Sequence, residues 1–419
     1  MRVWAARSAI ALATAASLAA CGTPPEAGPP PTPSPSSSQR PAAGLASVLL
    51  QVPDRFAQAP LDEPRHALIP AGWTIEVIAR VPKARMAAFA PDGALLISVP
   101  ATGQILTVRP DQRTLLDGLE QPHGLFFAGP TLYVAESNQI DAYDYVDGQA
   151  LNRRTVAGGL PDAKSPDLHG AYAHALKSVV VGSDGAVYFS IGSTGNISAE
   201  DRDASPPRAT IMRVPPGGGP AAPFATGVRN GTGLALAPDG ALWTAVNNRD
   251  NVADPHGRVR QAYVDDHPPE SVAKLTPGRE LGWPYCNPDG PPPAGFIRDM
   301  QTNADGAQMD CAALAPVEQT LGAHSAPLGM SFAELPGYGP GALVGVHGSW
   351  NRRSPQAPEV SFFGWDDGTL GPQQTLVGGF QADDGTRWGR PVAAVTGPDG
   401  AVYITDDYAG AVYRLAPPA

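Results

Sequence analysis

Several histidine, arginine and asparagine residues lie directly before or after short apolar segments of this sequence. His174 precedes the apolar segment Val179–Val181. Arg229 and Asn230 precede a second segment in the same way. The other members of the set are Asn248, Arg249, His324, Arg352, Arg387 and Arg390. Imidazole titrates nearest to neutral pH, so His174 is the natural candidate for a general base, although a lone histidine can also hold a loop in the core.

The arginines of this set indicate an anionic ligand. Guanidinium groups that face one cavity repel each other unless a negative charge lies between them, and their planar shape suits carboxylates. The sequence therefore predicts a polycarboxylate ligand. Any one of these arginines, taken alone, could instead form a surface ion pair or stack at the rim.

Asn248 and Arg249 come directly after an apolar segment, where irregular backbone can turn carbonyl oxygens inward. Carbonyl oxygens suit a hard cation such as calcium. We expect a metal site there, with a plain β-turn as the alternative.

Common catalytic motifs are absent from the sequence. It has no Gly-x-Ser-x-Gly elbow, no Gly-x-Gly-x-x-Gly after a strand and no His-Glu-x-x-His. An enzyme with this sequence would therefore need a cofactor or a metal held by the scaffold.

A repeated turn predicts the scaffold that must position these residues. The tripeptide Asp-Gly-Ala followed by Leu or Val occurs at residues 92–95, 184–187, 239–242 and 399–402. Apolar segments flank each copy, as in a β-hairpin with glycine at the left-handed position. Two weaker hairpins, around residues 125–134 and 330–346, complete the series.

Six such hairpins predict an all-β fold, a six-bladed β-propeller with four-stranded antiparallel blades. The stretches 252–269 and 284–316 are expected to be loop insertions. We also expect Val412–Leu415 to pair with a segment near residues 73–78 and close the ring. In a propeller, the entry to an inner strand and the exit of its partner lie toward one face, so the polar residues should converge.

The N-terminal residues predict export. Residues 1–20 have a charged start, an apolar stretch and small residues before Cys21, which is typical of a lipoprotein signal peptide. Lipid on Cys21 would anchor the mature protein to a membrane, in the periplasm or at the cell surface of a bacterium. An ordinary cleaved signal with an incidental cysteine is the alternative. Residues 21–45 predict a Pro/Ser-rich disordered tether, and residues 46–419 the propeller domain.

The net charge bears on possible binding partners, and the cysteine content bears on a possible disulfide. The net charge is -11 and no Lys/Arg cluster is present, so no nucleic-acid partner is expected. With Cys21 lipidated, Cys286 and Cys311 remain as a pair in an oxidising compartment. A disulfide is expected there, with two buried free thiols as the alternative.

Seven motifs, taken in their order, resemble the pyrroloquinoline quinone (PQQ)-dependent sugar dehydrogenases. The sequence is most similar to the sorbosone dehydrogenase type, a relative of soluble glucose dehydrogenase. The motifs are residues 174–196, 227–235, 242–250, 282–286, 324–329, 347–352 and 388–392. The resemblance runs from about Pro70 to the C-terminus. It implies a six-bladed propeller that oxidises an aldose or sugar aldehyde by hydride transfer to PQQ, followed by an electron acceptor that the sequence does not identify.

The resemblance also implies roles for individual residues. His174 would take the proton of the sugar hydroxyl, and Arg229 would stabilise negative charge on the quinone oxygen. The residues that would line the cofactor are Asn230, His324, Arg352, Arg387 and Arg390. The carbonyl groups of Asn248 and Arg249 would hold calcium against PQQ. Because PQQ is a tricarboxylate, it would account for the arginines.

Two positions differ from the family pattern. Ser193 replaces the acid that orients the catalytic histidine in soluble glucose dehydrogenase. A lysine that family members place on the cofactor has no clear counterpart, and Arg352 is expected to substitute for it. Two other functions stay open: a calcium-dependent lactonase-like hydrolase, and a non-catalytic propeller that binds glycans or proteins.

Overall fold

A closed ring of six antiparallel β-sheets forms the body of the protein. The computed structural model describes residues 44–168, 170–382 and 384–418. In this part of the chain every blade has four antiparallel strands, and blade 3 gains a fifth. The inner strands of neighbouring blades contact each other all the way round. The predicted six-bladed β-propeller is confirmed.

The N-terminal segment contributes a hairpin and one blade strand. Strand β1 (Leu45–Leu49) pairs with β2 (His66–Pro70), a 3-10 helix (Asp54–Phe56) lies between them, and β3 (Thr74–Arg80) follows. Leu45, expected to end the tether, already belongs to β1. The predicted signal peptide, Cys21 and the tether up to residue 43 lie outside the described residues.

The first three blades follow in sequence order. Blade 1 contains β4 (Ala87–Phe89), β5 (Leu95–Val99), β6 (Gln104–Arg109) and β7 (Arg113–Leu116). Blade 2 contains β8 (Leu125–Ala128), β9 (Thr131–Ala135), β10 (Ile140–Val146) and β11 (Gln149–Ala157). Blade 3 contains β12 (Val179–Val181), β13 (Val187–Ile191), β14 (Thr210–Val214) and β15 (Ala222–Thr226), with helix α1 (Glu200–Asp203) between β13 and β14.

Blade 4 carries the long insertions. Its strands are β16 (Gly233–Leu236), β17 (Leu242–Val246), β18 (Glu270–Leu275) and β22 (Gln319–Leu321). Helix α2 (Gln261–Val264) lies between β17 and β18. After β18 come β19 (Arg279–Glu280), the hairpin β20 (Cys286–Asp289) and β21 (Gly295–Arg298), and a 3-10 helix (Cys311–Ala313). Strand β19 adds in parallel to the edge of blade 3.

A disulfide between Cys286 and Cys311 closes the second insertion. The disulfide expected from the sequence is thus present.

The last two blades complete the ring. Blade 5 contains β23 (Pro327–Leu335), β24 (Gly339–Val346), β25 (Glu359–Asp366) and β26 (Thr369–Val377). Blade 6 contains β27 (Pro391–Thr396), β28 (Val402–Asp406), β29 (Ala411–Ala416) and β3. In blade 6 Leu415 is paired with Ile75, so the expected closure by the C-terminal segment is confirmed.

The Asp-Gly turns explain why the inner hairpins form. In all four copies the aspartate side chain accepts a hydrogen bond from the N–H two residues later, at 2.9 to 3.3 Å. The glycines have φ between 75 and 84°, a conformation that glycine adopts without steric cost. The turn sequence therefore reverses the chain at the same place in each of these blades.

The inner strands surround a narrow axial cavity of about 50 Å³. Small residues from different blades line it, among them Gly124, Ser178, Thr232, Gly329 and Ala393. The predicted site residues precede these strands or follow their partners, and so belong to one mouth of this channel. Among the residues that the structure describes, no helix is both long and apolar enough to cross a bilayer.

Candidate active site

His174 lies near the end of the segment that connects β11 to β12. Its Nδ1 is 2.9 Å from the carbonyl oxygen of Ser193 and 2.9 Å from Ser193 Oγ. The hydroxyl group donates to the carbonyl oxygen of Gly195 at 2.8 Å. A carbonyl oxygen can only accept, so Nδ1 carries the proton and Nε2 is the basic nitrogen. Ser193 thus sets the tautomer at the position where the family pattern has an acid.

The imidazole of His174 is neutral at physiological pH. Burial, followed by the charge of Arg229, lowers the pKa of His174 from 6.5 to about 4. The hydrogen bond to Ser193 acts in the opposite direction and is the smaller effect. The side chain is therefore ready to accept a proton.

Arg229 supplies a buried positive charge next to this imidazole. Only 4% of Arg229 is exposed. Nη1 donates to the carbonyl oxygens of Asn247 and Asn248 at 3.1 and 2.7 Å, and Nη2 donates to Asn196 Oδ1 at 3.1 Å. Nε is buried and has no partner in the described part of the chain. Burial lowers the pKa of Arg229, so an anion placed against it would be strongly favoured.

Asp250 is a site residue that the sequence analysis missed. Its Oδ2 lies 3.6 Å from Arg229 Nη2, and its Oδ1 lies 3.2 Å from His324 Nδ1. Burial acts to raise the pKa of Asp250, but the hydrogen bond from His324 and the charge of Arg229 outweigh it and lower the pKa. The sequence could have indicated Asp250, because it directly follows the predicted site residues Asn248 and Arg249 within one of the motifs.

His324 is buried and both of its ring nitrogens face oxygen atoms. Besides the contact with Asp250, Nε2 lies 2.7 Å from the carbonyl oxygen of Val264 in α2. Burial acts to lower the pKa of His324, but the hydrogen bond to Asp250 and the charge of Glu270 raise it above its usual value. His324 therefore acts as a counter-charge to Asp250 and as an anchor for α2.

A second cationic group precedes β27. Arg390 Nε donates to the carbonyl oxygen of His347 at 2.8 Å, and Arg387 Nη2 donates to that of Ser349. Burial, and for Arg390 also the charge of Arg387, lowers the pKa of both arginines. His347 Nε2 lies 2.7 Å from Asp407 Oδ1. Two neighbouring guanidinium groups whose charged forms are disfavoured by burial again fit an anionic ligand.

The loop of residues 347–352 lies between the two cationic groups. Its Asn351 Nδ2 donates to Asp250 Oδ1 at 3.3 Å, while its carbonyl groups hold Arg387 and Arg390. Arg352 Nη1 donates to the carbonyl oxygen of Ala323, next to His324, at 3.2 Å. The structure therefore brings Arg229, Arg352, Arg387 and Arg390 to the same mouth of the propeller.

Asn230 lies against the segment of His174. Its Oδ1 is 3.1 Å from the position that a Cβ on Gly192 would take, and His174 Cβ is 2.6 Å from that same position. Asn230 is thus a neighbour of His174 across Gly192.

The carbonyl oxygens of Asn248 and Arg249 are the predicted metal ligands, and the structure shows other contacts for both residues. The Asn248 carbonyl oxygen already accepts from Arg229. The Arg249 side chain, 1% exposed, forms an ion pair with Asp299 in the disulfide-closed insertion. Within the described residues no group of three or more His, Cys, Asp or Glu could hold a metal ion. Calcium at the carbonyl oxygens of Asn248 and Arg249 would therefore need further oxygen ligands.

A larger cavity of about 640 Å³ lies between the two insertions. Its lining includes Tyr263, His267, Phe296 and Met300, and none of the predicted site residues.

Comparison with known families agrees with this geometry. A protein-family model described as TrAA12-like matches residues 68–417. The chain belongs to this family. These proteins are the AA12-like, PQQ-dependent sugar dehydrogenase propellers, related to the soluble glucose and aldose sugar dehydrogenases. The family resemblance inferred from the motifs is confirmed.

Two curated proteins are distantly similar to this chain. A PQQ-dependent pyranose dehydrogenase from Coprinopsis cinerea is 25% identical over 325 residues, which is 65% of this chain and 42% of that protein. An uncharacterized protein from Borreliella burgdorferi is 28% identical over 199 residues, which is 46% of this chain and 48% of that protein. The chain thus spans less than half the length of these curated relatives.

Solved structures support the fold. The holo form of the pyranose dehydrogenase PQQ domain from Coprinopsis cinerea has a TM-score of 0.72 at 19% identity, covering 88% of this chain and 100% of that chain. The calcium structure of AA12 from Trichoderma reesei has a TM-score of 0.69 at 19% identity, with coverages of 83% and 96%. The PQQ-bound aldose sugar dehydrogenase from Streptomyces coelicolor has a TM-score of 0.54 at 16% identity, with coverages of 83% and 99%.

Proposed function

We propose that this protein oxidises an aldose or sugar aldehyde with PQQ as the electron acceptor and His174 as the general base. The observation that carries the proposal is the fixed tautomer of His174, which leaves Nε2 unprotonated, in a ring whose pKa is lowered by burial and by the charge of the buried Arg229. The PQQ and calcium present in solved relatives support the choice of cofactors. The sorbosone type stays a prediction.

In this proposal the chain's own residues bind the anion and move one proton. Arg229, Arg387 and Arg390 would hold the carboxylates and the oxygen of PQQ, with Arg352 and Asn230 at the edge of the site. When bound, the quinone would supply a hydride acceptor. His174 Nε2 would accept the proton of the sugar hydroxyl, and Arg229 would offer a preorganised positive charge where negative charge develops. Calcium at the carbonyl oxygens of Asn248 and Arg249 remains part of the proposal.

The test is reconstitution of the purified chain with PQQ, with and without calcium, followed by dye reduction with a panel of sugars. His174→Asn should lower kcat by about 10²- to 10⁴-fold while PQQ still binds. His256→Ala, which changes an exposed histidine, is the matched control and should stay active. Absence of PQQ binding by the wild type would favour a glycan- or protein-binding propeller. Lactone hydrolysis without dye reduction would favour the lactonase-like hydrolase.

We also propose that Cys21 carries lipid and anchors the exported protein at a bacterial membrane. The leader-like composition of residues 1–20 supports this. Cys21→Ser should abolish incorporation of labelled palmitate and release the protein from membranes. Labelling that persists in this variant would refute the anchor.

A further inference from the structure

Lys177 is a buried lysine that the proposed chemistry does not use. Its surface is 0% exposed. Nζ donates to three backbone carbonyl oxygens, at 2.5 Å to Ser137, 2.8 Å to Pro161 and 3.0 Å to Ala175. All three N–H groups of the ammonium are thereby engaged.

The three acceptors come from different parts of the chain. Ser137 follows β9 in blade 2, Pro161 lies near the start of the segment between β11 and β12, and Ala175 is the residue after His174. One ammonium group therefore ties the end of the His174 segment to its own beginning and to blade 2.

This arrangement is energetically expensive for the folded protein. Burial lowers the pKa of Lys177 from 10.5 to about 7, and the charge of Asp162 offsets this only partly. A buried cation held by neutral carbonyl groups contributes less to stability than apolar packing at the same place. A role in geometry accounts for it better than a role in stability.

The residues on either side of Ala173 are also bound to the loop after β13. Tyr172 Oη donates to the Gly192 carbonyl oxygen at 2.8 Å, and the Ala173 N–H donates to the Thr194 carbonyl oxygen at 2.9 Å. Both of these contacts, like that of Ser193 with His174, face the loop after β13. On the side of blade 2, the Lys177 ammonium acts together with two backbone bonds: the Gly124 N–H donates to the Lys177 carbonyl oxygen, and the Leu160 N–H donates to the Asn138 carbonyl oxygen, both at 2.9 Å. Lys177 Nζ is the side-chain group that binds Ala175, the residue next to His174, on this side.

We propose that Lys177 is a positioning residue, which fixes the His174 imidazole by binding the two ends of its segment to each other, through the Pro161 and Ala175 carbonyl groups, and to blade 2, through the Ser137 carbonyl group. The inference rests on the proposed function, because it takes His174 as the base.

The first test uses the full chain without cofactor. Lys177→Met should fold, as judged by circular dichroism, but amide hydrogen exchange of Tyr172–Leu176 should become at least about tenfold faster. Lys164→Met is the matched control, because this lysine lies in the same segment with a side chain that is 72% exposed. The control should leave exchange unchanged. Equal exchange in Lys177→Met and the wild type would overturn the proposal.

The second test uses the protein loaded with PQQ. Lys177→Met should lower kcat by about 10- to 100-fold, the loss expected when a catalytic group moves by an ångström, while the Kd for PQQ stays within about threefold. Lys177→Gln, which keeps two N–H donors, should fall between the wild type and Lys177→Met. If Lys177→Met does not fold, Lys177→Gln must show the same separation of kcat from Kd. Unchanged kcat, or a Kd that rises in step with the loss of kcat, would refute a positioning role.

The two tests distinguish a failure of the proposed function from a failure of the Lys177 proposal. A wild-type protein that binds no PQQ would refute the proposed function, whereas the exchange comparison would still decide whether Lys177 holds the segment.

Discussion

The carbonyl oxygen of Ser193 lies 2.9 Å from Nδ1 of His174, and both residues belong to blade 3. Ser193 follows β13, and His174 precedes the partner strand β12. The hydrogen bond therefore spans a single hairpin, and its geometry depends on how closely the two loops approach. Gly192 is the residue that permits this approach.

Gly192→Ala should displace His174. A Cβ at this position would lie 2.6 Å from His174 Cβ and 2.7 Å from the His174 carbonyl oxygen, so the loops would have to separate. We expect dye-reduction activity to fall at least about tenfold. The free energy of unfolding should fall by about 1–3 kcal/mol in urea titrations. Gly195→Ala, where an added Cβ meets nothing within 4 Å, is the control. Equal behaviour of the two variants would contradict the close contact.

Activity should persist well below the usual pKa of histidine. Because burial and Arg229 lower the pKa of His174 to about 4, the base remains unprotonated as the pH falls from 6.5 toward 4. Below this range protonation removes the acceptor, so kcat/KM should fall as the pH falls through about 4. NMR titration of the His174 ring in the cofactor-free chain gives the same pKa directly.

Arg229→Gln should raise that pKa only partly, since burial is the larger cause. A midpoint at the ordinary histidine value in the wild type would show that the ring is solvated.

Asp250→Asn should separate cofactor binding from turnover. The change removes the negative charge between Arg229 and His324, so the anionic cofactor meets a more positive site. We expect the Kd for PQQ to fall by about threefold and kcat to fall by about tenfold, because Arg229 loses a partner that orients it. Fluorescence titration and dye reduction measure the two quantities. The exposed Asp203→Asn variant is the control, and parallel loss of binding and turnover in Asp250→Asn would contradict the prediction.

Removal of the disulfide should destabilise the protein. Cys286 and Cys311 are 25 residues apart, and a loop of this size contributes about 3 kcal/mol by restricting the unfolded chain. Cys286→Ser combined with Cys311→Ser should lower the free energy of unfolding by this amount. Reduction of the wild type should have the same effect. Equal stability of the oxidised and reduced wild-type protein would show that the insertion is already held by other contacts, such as that of Arg249 with Asp299.

The sequence predicted the parts of the fold that depend on local chemistry. Each Asp-Gly turn combines a side-chain acceptor with a glycine at positive φ, and both features are visible in four consecutive residues. The structure of the insertions depends instead on contacts between residues that are far apart in the sequence. Strand β19 forms because Arg279 pairs with Ala225 in blade 3, more than 50 residues earlier, and no local pattern indicates such a partner.

The same distinction applies to the site. His174 and Arg229 could be predicted because they lie at the boundaries of strands. The direction of the Arg249 side chain could not, since it depends on Asp299, 50 residues later in the sequence. Asp250 was missed because a carboxylate among arginines is easily taken for a surface ion pair, whereas its role depends on His324 from another blade.

The pairing of β29 with β3 has a consequence for biosynthesis. The ring cannot close until Ala411–Ala416 has left the ribosome, so the nascent chain is an open arc until that point. A product that stops before Ala411 would leave β28 as an unprotected edge, able to recruit strands from other molecules. Premature termination close to the C-terminus should therefore produce insoluble aggregates instead of a slightly shortened enzyme.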